Sequence, residues 1–168
     1  MISGKRGKKM IWFILIAVLA VLDLTVKHGI EAMPDEKLPR DIPGTKGKAQ
    51  IRKLHNDGFP LGVFRDYPEL VRCLPLLVTS VLTARLSLLL PKKGKTFEKL
   101  GLALTIGGAV SNLFDRFYRR YVVDYLHVSA GPLKKIIFNL GDVLIALGAV
   151  VSLTASAVRA AARFVKKG

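Results

Sequence analysis

Asp115, Asp124 and Asp142 lie in or beside stretches apolar enough for a bilayer. A carboxylate at such a place costs about 3 kcal/mol or more and marks function by default. Two carboxylates brought together at a water-accessible edge repel unless they share a proton, the arrangement aspartic peptidases use to activate water. Asn112, Arg116 and Asn139 stand within three residues of these acids and supply hydrogen-bond donors. Each has an ordinary explanation alone: Asp115 with Arg116 as an interfacial ion pair, Asn112 as an interhelical hydrogen bond, Asp142 as a carboxylate favoured at a helix start. Together those explanations are much less comfortable. Metal chemistry finds no support, because Cys73 is the only cysteine and His28, His55 and His127 lack the close spacing of a zinc site. No metal or other cofactor is expected.

The segments that must position these residues are hydrophobic. The chain of 168 residues is 51% apolar, with a formal net charge of +15. Its basic residues cluster beside apolar runs, as membrane flanks do, and no zinc-finger or RNA-binding pattern accompanies them, so no nucleic-acid partner is expected. Apolar runs at about 10–26, 70–90, 100–116 and 138–158 predict an all-α membrane protein, a four-transmembrane-helix bundle forming one domain over 1–168. The first run has the basic start of a signal peptide, but the runs that follow make a polytopic protein the simpler account. Arg72 and Arg85 read as snorkelling residues at the ends of the second run, and small residues in the third and fourth favour close helix packing.

Residues 27–69 form a polar connection expected to carry a small β-containing element. Within it, Asn56-Asp57-Gly58 lies between Ile51/Leu54 and Leu61/Val63, which suggests a short hairpin or curved β-element with Gly58 at positive φ and Pro60 at an edge or bulge. Four basic residues precede the first run and only Lys27 directly follows it, which favours a cytoplasmic N-terminus. Both termini are then cytoplasmic. Under that topology Asp23, Asn112, Asp115, Asp124, Asn139 and Asp142 all fall near the outer end of a helix, at one depth.

These residues resemble the lipoprotein signal peptidases, or type II signal peptidases, and the resemblance covers the whole chain. Asn112-Leu113-Phe114-Asp115-Arg116, Val122-Val123-Asp124 and Phe138-Asn139-Leu140-Gly141-Asp142 are similar to that family's ordered blocks. Asp23-x-Thr25-x-Lys27 looks like its motif at the end of the first helix, and Asn56-x-Gly58 like its substrate-cradle motif. The resemblance implies Asp124 and Asp142 as the catalytic pair, with Asn112, Asp115, Arg116 and Asn139 shaping the site and holding substrate backbone. It also implies a prolipoprotein substrate cut just before a lipid-modified cysteine, an active site at the outer face of the cell membrane, and membrane lipids as neighbours of a monomer. The chain departs from the family at Leu24, where Gln is common, at Phe59-Pro60-Leu61, at Ser111, where Gly is common, and at Gly141, where Ala is common. Two rival readings are a catalytically inactive membrane-binding relative and a four-helix ion or proton transport protein. Intact carboxylates oppose the first, and acids at helix ends rather than mid-bilayer oppose the second.

Overall fold

The computed structural model describes residues 3–59, 63–129, 131, 134 and 136–165. Its helices are α1 (Ser3–Glu31), α2 (Pro68–Leu89), α3 (Thr96–Tyr118) and α4 (Leu140–Val165). One antiparallel sheet, β1 (Arg40–Asp41), β2 (Ala49–Asn56), β3 (Val122–Val128) and β4 (Ile137–Phe138), runs in that spatial order. Strands β1 and β2 come from the first connection, β3 and β4 from the last.

α1 buries Ile16, Ala20, Asp23, Lys27 and Ile30, a stripe at alternating spacings of four and three that lies along one helix face. Ile11, Val18, Leu22 and Val26 point away from the protein, as a lipid-facing surface would. The lower part of the stripe is apolar. Ile16 joins Leu86, Leu89, Leu102, Ala103 and Ile106 in a buried cluster. The upper part, Asp23 and Lys27, is charged and must find partners.

α3 is the central helix and packs against α1, α2 and α4. A Cβ on Gly108 would collide with the carbonyl oxygen of Gly141, and one on Gly148 would meet the Thr105 hydroxyl and the Gly101 backbone. Missing side chains therefore set the α3–α4 distance, as small residues do wherever membrane helices approach closely. Lys9–Glu31, Pro68–Leu89 and Leu140–Phe164 are long and apolar enough to cross a bilayer. α3, expected as the third span, does not meet that composition because Glu98, Lys99, Asp115 and Arg116 lie within it. All four of those charged residues are buried by neighbouring segments rather than presented to lipid.

The sheet differs from the sequence expectation in three places. β2 does not fold back at Gly58 into a hairpin: it pairs with β1 and β3, and only an isolated Phe59–Val63 bridge follows it. Asn56 Oδ1 accepts the Gly58 amide at 3.1 Å, a side-chain turn that stops the strand. Pairing with β3 instead buries Val123 and Tyr125 against Ile30, Met33 and Ile51. Gly58 is not among the described residues with positive φ, which include Phe64 and Arg120; Pro60 and Leu61 lie outside the described residues. Finally, Phe138 belongs to β4, and α4 begins only at Leu140.

A register shift between Ile51 and Leu54 sets Arg52 and Lys53 opposite Tyr125, a β-bulge that re-aims Lys53. Lys53 Nζ donates to the Met33 carbonyl at 2.6 Å and pairs with Asp35 at 2.8 Å. The sheet is thereby pinned to the end of α1.

Candidate active site

α4 starts with a reciprocal cap. Asn139 Oδ1 accepts the Asp142 amide at 2.9 Å, while Asp142 Oδ2 accepts the Asn139 amide at 3.1 Å. This is a capping box built from Asn and Asp, and it fixes the Asp142 side chain against its own backbone. The remaining arm of Asn139, Nδ2, donates to Asp124 Oδ1 at 2.7 Å. One buried asparagine thus holds both carboxylates.

The other oxygens are also satisfied. Asn56 Nδ2 at the end of β2 donates to Asp124 Oδ2 at 2.9 Å, and Asn112 Nδ2 on α3 donates to Asp142 Oδ1 at 2.9 Å. Asp124 reaches the site because Leu54 is its cross-strand partner, which puts it on the same sheet face as Asn56, two residues on. Burial pushes Asp124 up to about 6; the hydrogen bonds from Asn56 and Asn139 and the charge of Lys27 oppose the rise, and the charge of Asp142 adds to it. Both aspartates line one cleft of about 520 Å³, with Asn56, Asn112 and Arg116. Arg116 donates to the Gly58 carbonyl at 2.9 Å and sits 5.4 Å from the centre of the Phe59 ring, fastening the segment after β2 over the cleft.

Beneath the cleft lies a fully buried polar layer. Lys27 Nζ meets Asn112 Oδ1 at 2.7 Å, Asp23 at 2.9 Å, Asp115 at 3.0 Å and Ser111 Oγ at 3.1 Å. Lysine can only donate, so it takes the carbonyl end of Asn112 and turns the NH₂ toward Asp142. Arg119 donates to the other Asp115 oxygen, Oδ1, at 2.7 Å, and the Val123 amide donates to Oδ2 at 3.3 Å. Asp23 accepts from the Ser111 hydroxyl and from Tyr125 Oη at 3.1 Å. Burial, then the charge of Asp23, raises the Tyr125 phenol, which remains a donor. Tyr125 Oη also accepts the Leu140 amide at 3.1 Å and so ties β3 to the first turn of α4. A buried charge left unpaired would cost several kcal/mol, about 3–5 when one partner is removed. Here two acids share two cations and several neutral donors.

The sequence model of the signal peptidase II family matches residues 15–158. The chain belongs to this family. Among curated relatives, the lipoprotein signal peptidase of Sulfurihydrogenibium sp. (strain YO3AOP1) is 34% identical over 147 residues, covering 84% of this chain and 88% of that one. That of Methylobacterium sp. (strain 4-46) is 33% identical and covers 79% of each, and that of Moorella thermoacetica is 31% identical over 83% of this chain and 88% of its own. The fold is shared with a bacterial membrane enzyme solved by the in meso method at 1.9 Å resolution: TM-score 0.69, 18% identity, covering 86% of this chain and 90% of that one.

Against the family motifs, the structure brings Asn56, Asn112, Arg116, Asp124 and Asp142 to the cleft wall, and Gly58 to its edge through its carbonyl. Asn139 bonds both acids from behind. Asp23, Lys27 and Asp115 are set apart, 0% exposed in the layer below, where they touch the wall only through Asn112. The sequence alone assigns no role to Tyr125 or Arg119, and it marks Ser111 as a small packing residue of the third run and a departure from the family. Their signal was positional: Tyr125 is one residue past Asp124, and Arg119 is one helical turn past Asp115.

Proposed function

We propose that Asp124 and Asp142 are the catalytic pair with which this peptidase removes signal peptides from prolipoproteins, cutting just before the lipid-modified cysteine. The observation that carries the assignment is Asn139, which bonds both carboxylates at the wall of one cleft. Below about pH 6 two adjacent acids in such a place hold one proton between them. The ionised member takes a proton from water as the water oxygen attacks the carbonyl carbon before the cysteine. The protonated member gives its proton to the carbonyl oxygen. Collapse of the tetrahedral intermediate breaks the C–N bond, and a proton passes to the leaving cysteine amine. Asn56, Asn112 and Asn139 orient the carboxylates, and Arg116 holds the Gly58 segment over the cleft. Asp23, Lys27 and Asp115 position Asn112 from below.

In this reading α3 is a fourth crossing, both termini are cytoplasmic and the cleft opens at the outer face, with a single chain sufficient for activity. The diacylglyceryl group stays in the leaflet, so the enzyme brings its carboxylates and one water to that depth. The test is single-turnover cleavage of a lipidated prolipoprotein peptide by purified protein in detergent or lipid, beside the same peptide without lipid. Wild type should cut the first and ignore the second. Asp124→Asn and Asp142→Asn should each lower the rate by about three orders of magnitude or more, and the double variant should be little worse than either single one. Substantial turnover by either folded variant removes that residue from the reaction.

A further inference from the structure

The cleft lining is of two kinds. On one wall stand Phe138, Ile145 and Ala146, the latter two about one turn beyond Asp142 along α4, so this wall descends with the membrane-spanning helix. The segment after β2 supplies a second, polar wall, Asp57 and Arg65, paired at 2.9 Å with side chains 48% and 65% exposed. A substrate with its scissile bond between Asp124 and Asp142 therefore lays its apolar signal segment along the first wall. Its water-soluble mature segment leaves past the second.

Arg65 is equipped to meet that segment. Its Nε donates to Asp57 Oδ2, and its terminal nitrogens donate to no described residue. Asp57 is held below the usual carboxylate range by that hydrogen bond, so it stays ionised and the pair stays formed at neutral pH. The preceding residue, Phe64, has φ of 59°, a conformation costly for a bulky side chain and one that recurs where a neighbouring group must be aimed. Phe64 packs edge-on between Phe59 at 6.0 Å and Tyr67 at 6.4 Å, which anchors the turn that presents Arg65.

We infer that Arg65, oriented by Asp57, is a specificity-determining residue that receives the side chain immediately after the lipidated cysteine and favours an acidic residue there over a basic one. A guanidinium whose terminal nitrogens meet no described residue can form two parallel bonds to a carboxylate and disfavours a lysine. The inference rests on the peptidase reading, since only cleavage defines which segment leaves at the mouth. Asp57 offsets part of the Arg65 charge, which keeps the expected preference small.

Purified full-length protein in lipid nanodiscs is given an equimolar mixture of diacylglyceryl-modified peptides that differ only in having Asp, Ser or Lys after the cysteine. The ratio of Asp to Lys cleavage is read within each reaction, so partial loss of folded enzyme cancels. Wild type should favour Asp by about three- to tenfold, and the preference should shrink as salt screens the exposed charge. Arg65→Gln should level the ratio and Arg65→Glu should invert it. If Arg65→Glu does not accumulate, Arg65→Gln and the salt series decide the matter. Equal cleavage of all three peptides by wild type, or an unchanged ratio in Arg65→Gln, overturns the role of Arg65 and leaves the peptidase reading standing. Cleavage of none of them overturns both.

Discussion

At the scale of single residues, the proposed catalytic pair depends on where protons sit. Asp124 is raised to about 6 chiefly by burial, and the Asn56 amide is the largest influence pulling it down. A pair that needs one shared proton loses it as pH climbs through that range, so kcat/KM should have an alkaline limb near 6. Asn56→Leu removes a donor that favours the ionised form, and the limb should then move to higher pH. A limb that stays in place would mean that Asn56 does not tune the pair. A second prediction concerns Ser111 and Gly141, which stand where the family commonly has Gly and Ala. A Cβ at position 141 would lie 2.9 Å from both Asp23 Oδ2 and Asn139 Oδ1. The Ser111 hydroxyl holds that same Asp23 oxygen, which therefore has no room to retreat. Gly141→Ala should lower kcat/KM by about tenfold, and adding Ser111→Gly should restore most of it, a coupling of about 1 kcal/mol in a double-mutant cycle. Strict additivity would show that the two positions do not compete for space.

At the scale of elements, the site depends on how closely α3 approaches α4. Gly108 touches the Gly141 backbone, and Asn112 lies one turn further along α3. Gly108→Ala should push the helices apart and withdraw the Asn112 amide from Asp142, cutting turnover by about tenfold or more while lowering the melting temperature. Gly29→Ala is the control, because a Cβ there meets nothing within 4 Å. It should be neutral, or stabilising by about 0.5–1 kcal/mol through helix propensity. Equal behaviour of the two variants would refute the packing argument. The four helices were legible because long apolar runs admit few other readings. β3 was not: Val122, Val123, Asp124 and Tyr125 are all buried, so the strand lacks the alternation that would expose it, and its partner lies some 70 residues upstream, Asn56 against Val122. The acids were legible as a group because each stands at a helix end or in an adjoining segment. Their division into a cleft wall and a layer below was not legible, since it follows from side-chain direction and from Lys27 reaching Ser111 and Asn112, 84 and 85 residues away.

At the scale of the whole molecule, the sheet constrains the path through the membrane more strongly than hydropathy does. β2 comes from the connection after α1, and β3 from the connection after α3, yet they pair over Ala49–Asn56 and Val122–Val128. Two connections that share one sheet lie on one side of the bilayer. A chain that leaves that side through α2, which is apolar enough to cross, can return only through α3. Burial of Glu98, Lys99, Asp115 and Arg116 within the bundle is what makes such a crossing tolerable. In the proposed four-crossing reading, the turn around Lys95 and both termini lie opposite the sheet. Which side is cytoplasmic is a separate matter. It rests on the four basic residues ahead of the first apolar run, because total counts, 12 Lys and Arg on one side and 13 on the other, do not decide it. Reporter fusions after Lys95 and after Lys167 should both report cytoplasm, and a tag inserted at the exposed turn around Gly44 should report the exterior. All three signals reversed would refute the charge reading alone, whereas a Lys95 fusion on the same side as the Gly44 tag would refute the return through α3 and the shared sheet with it.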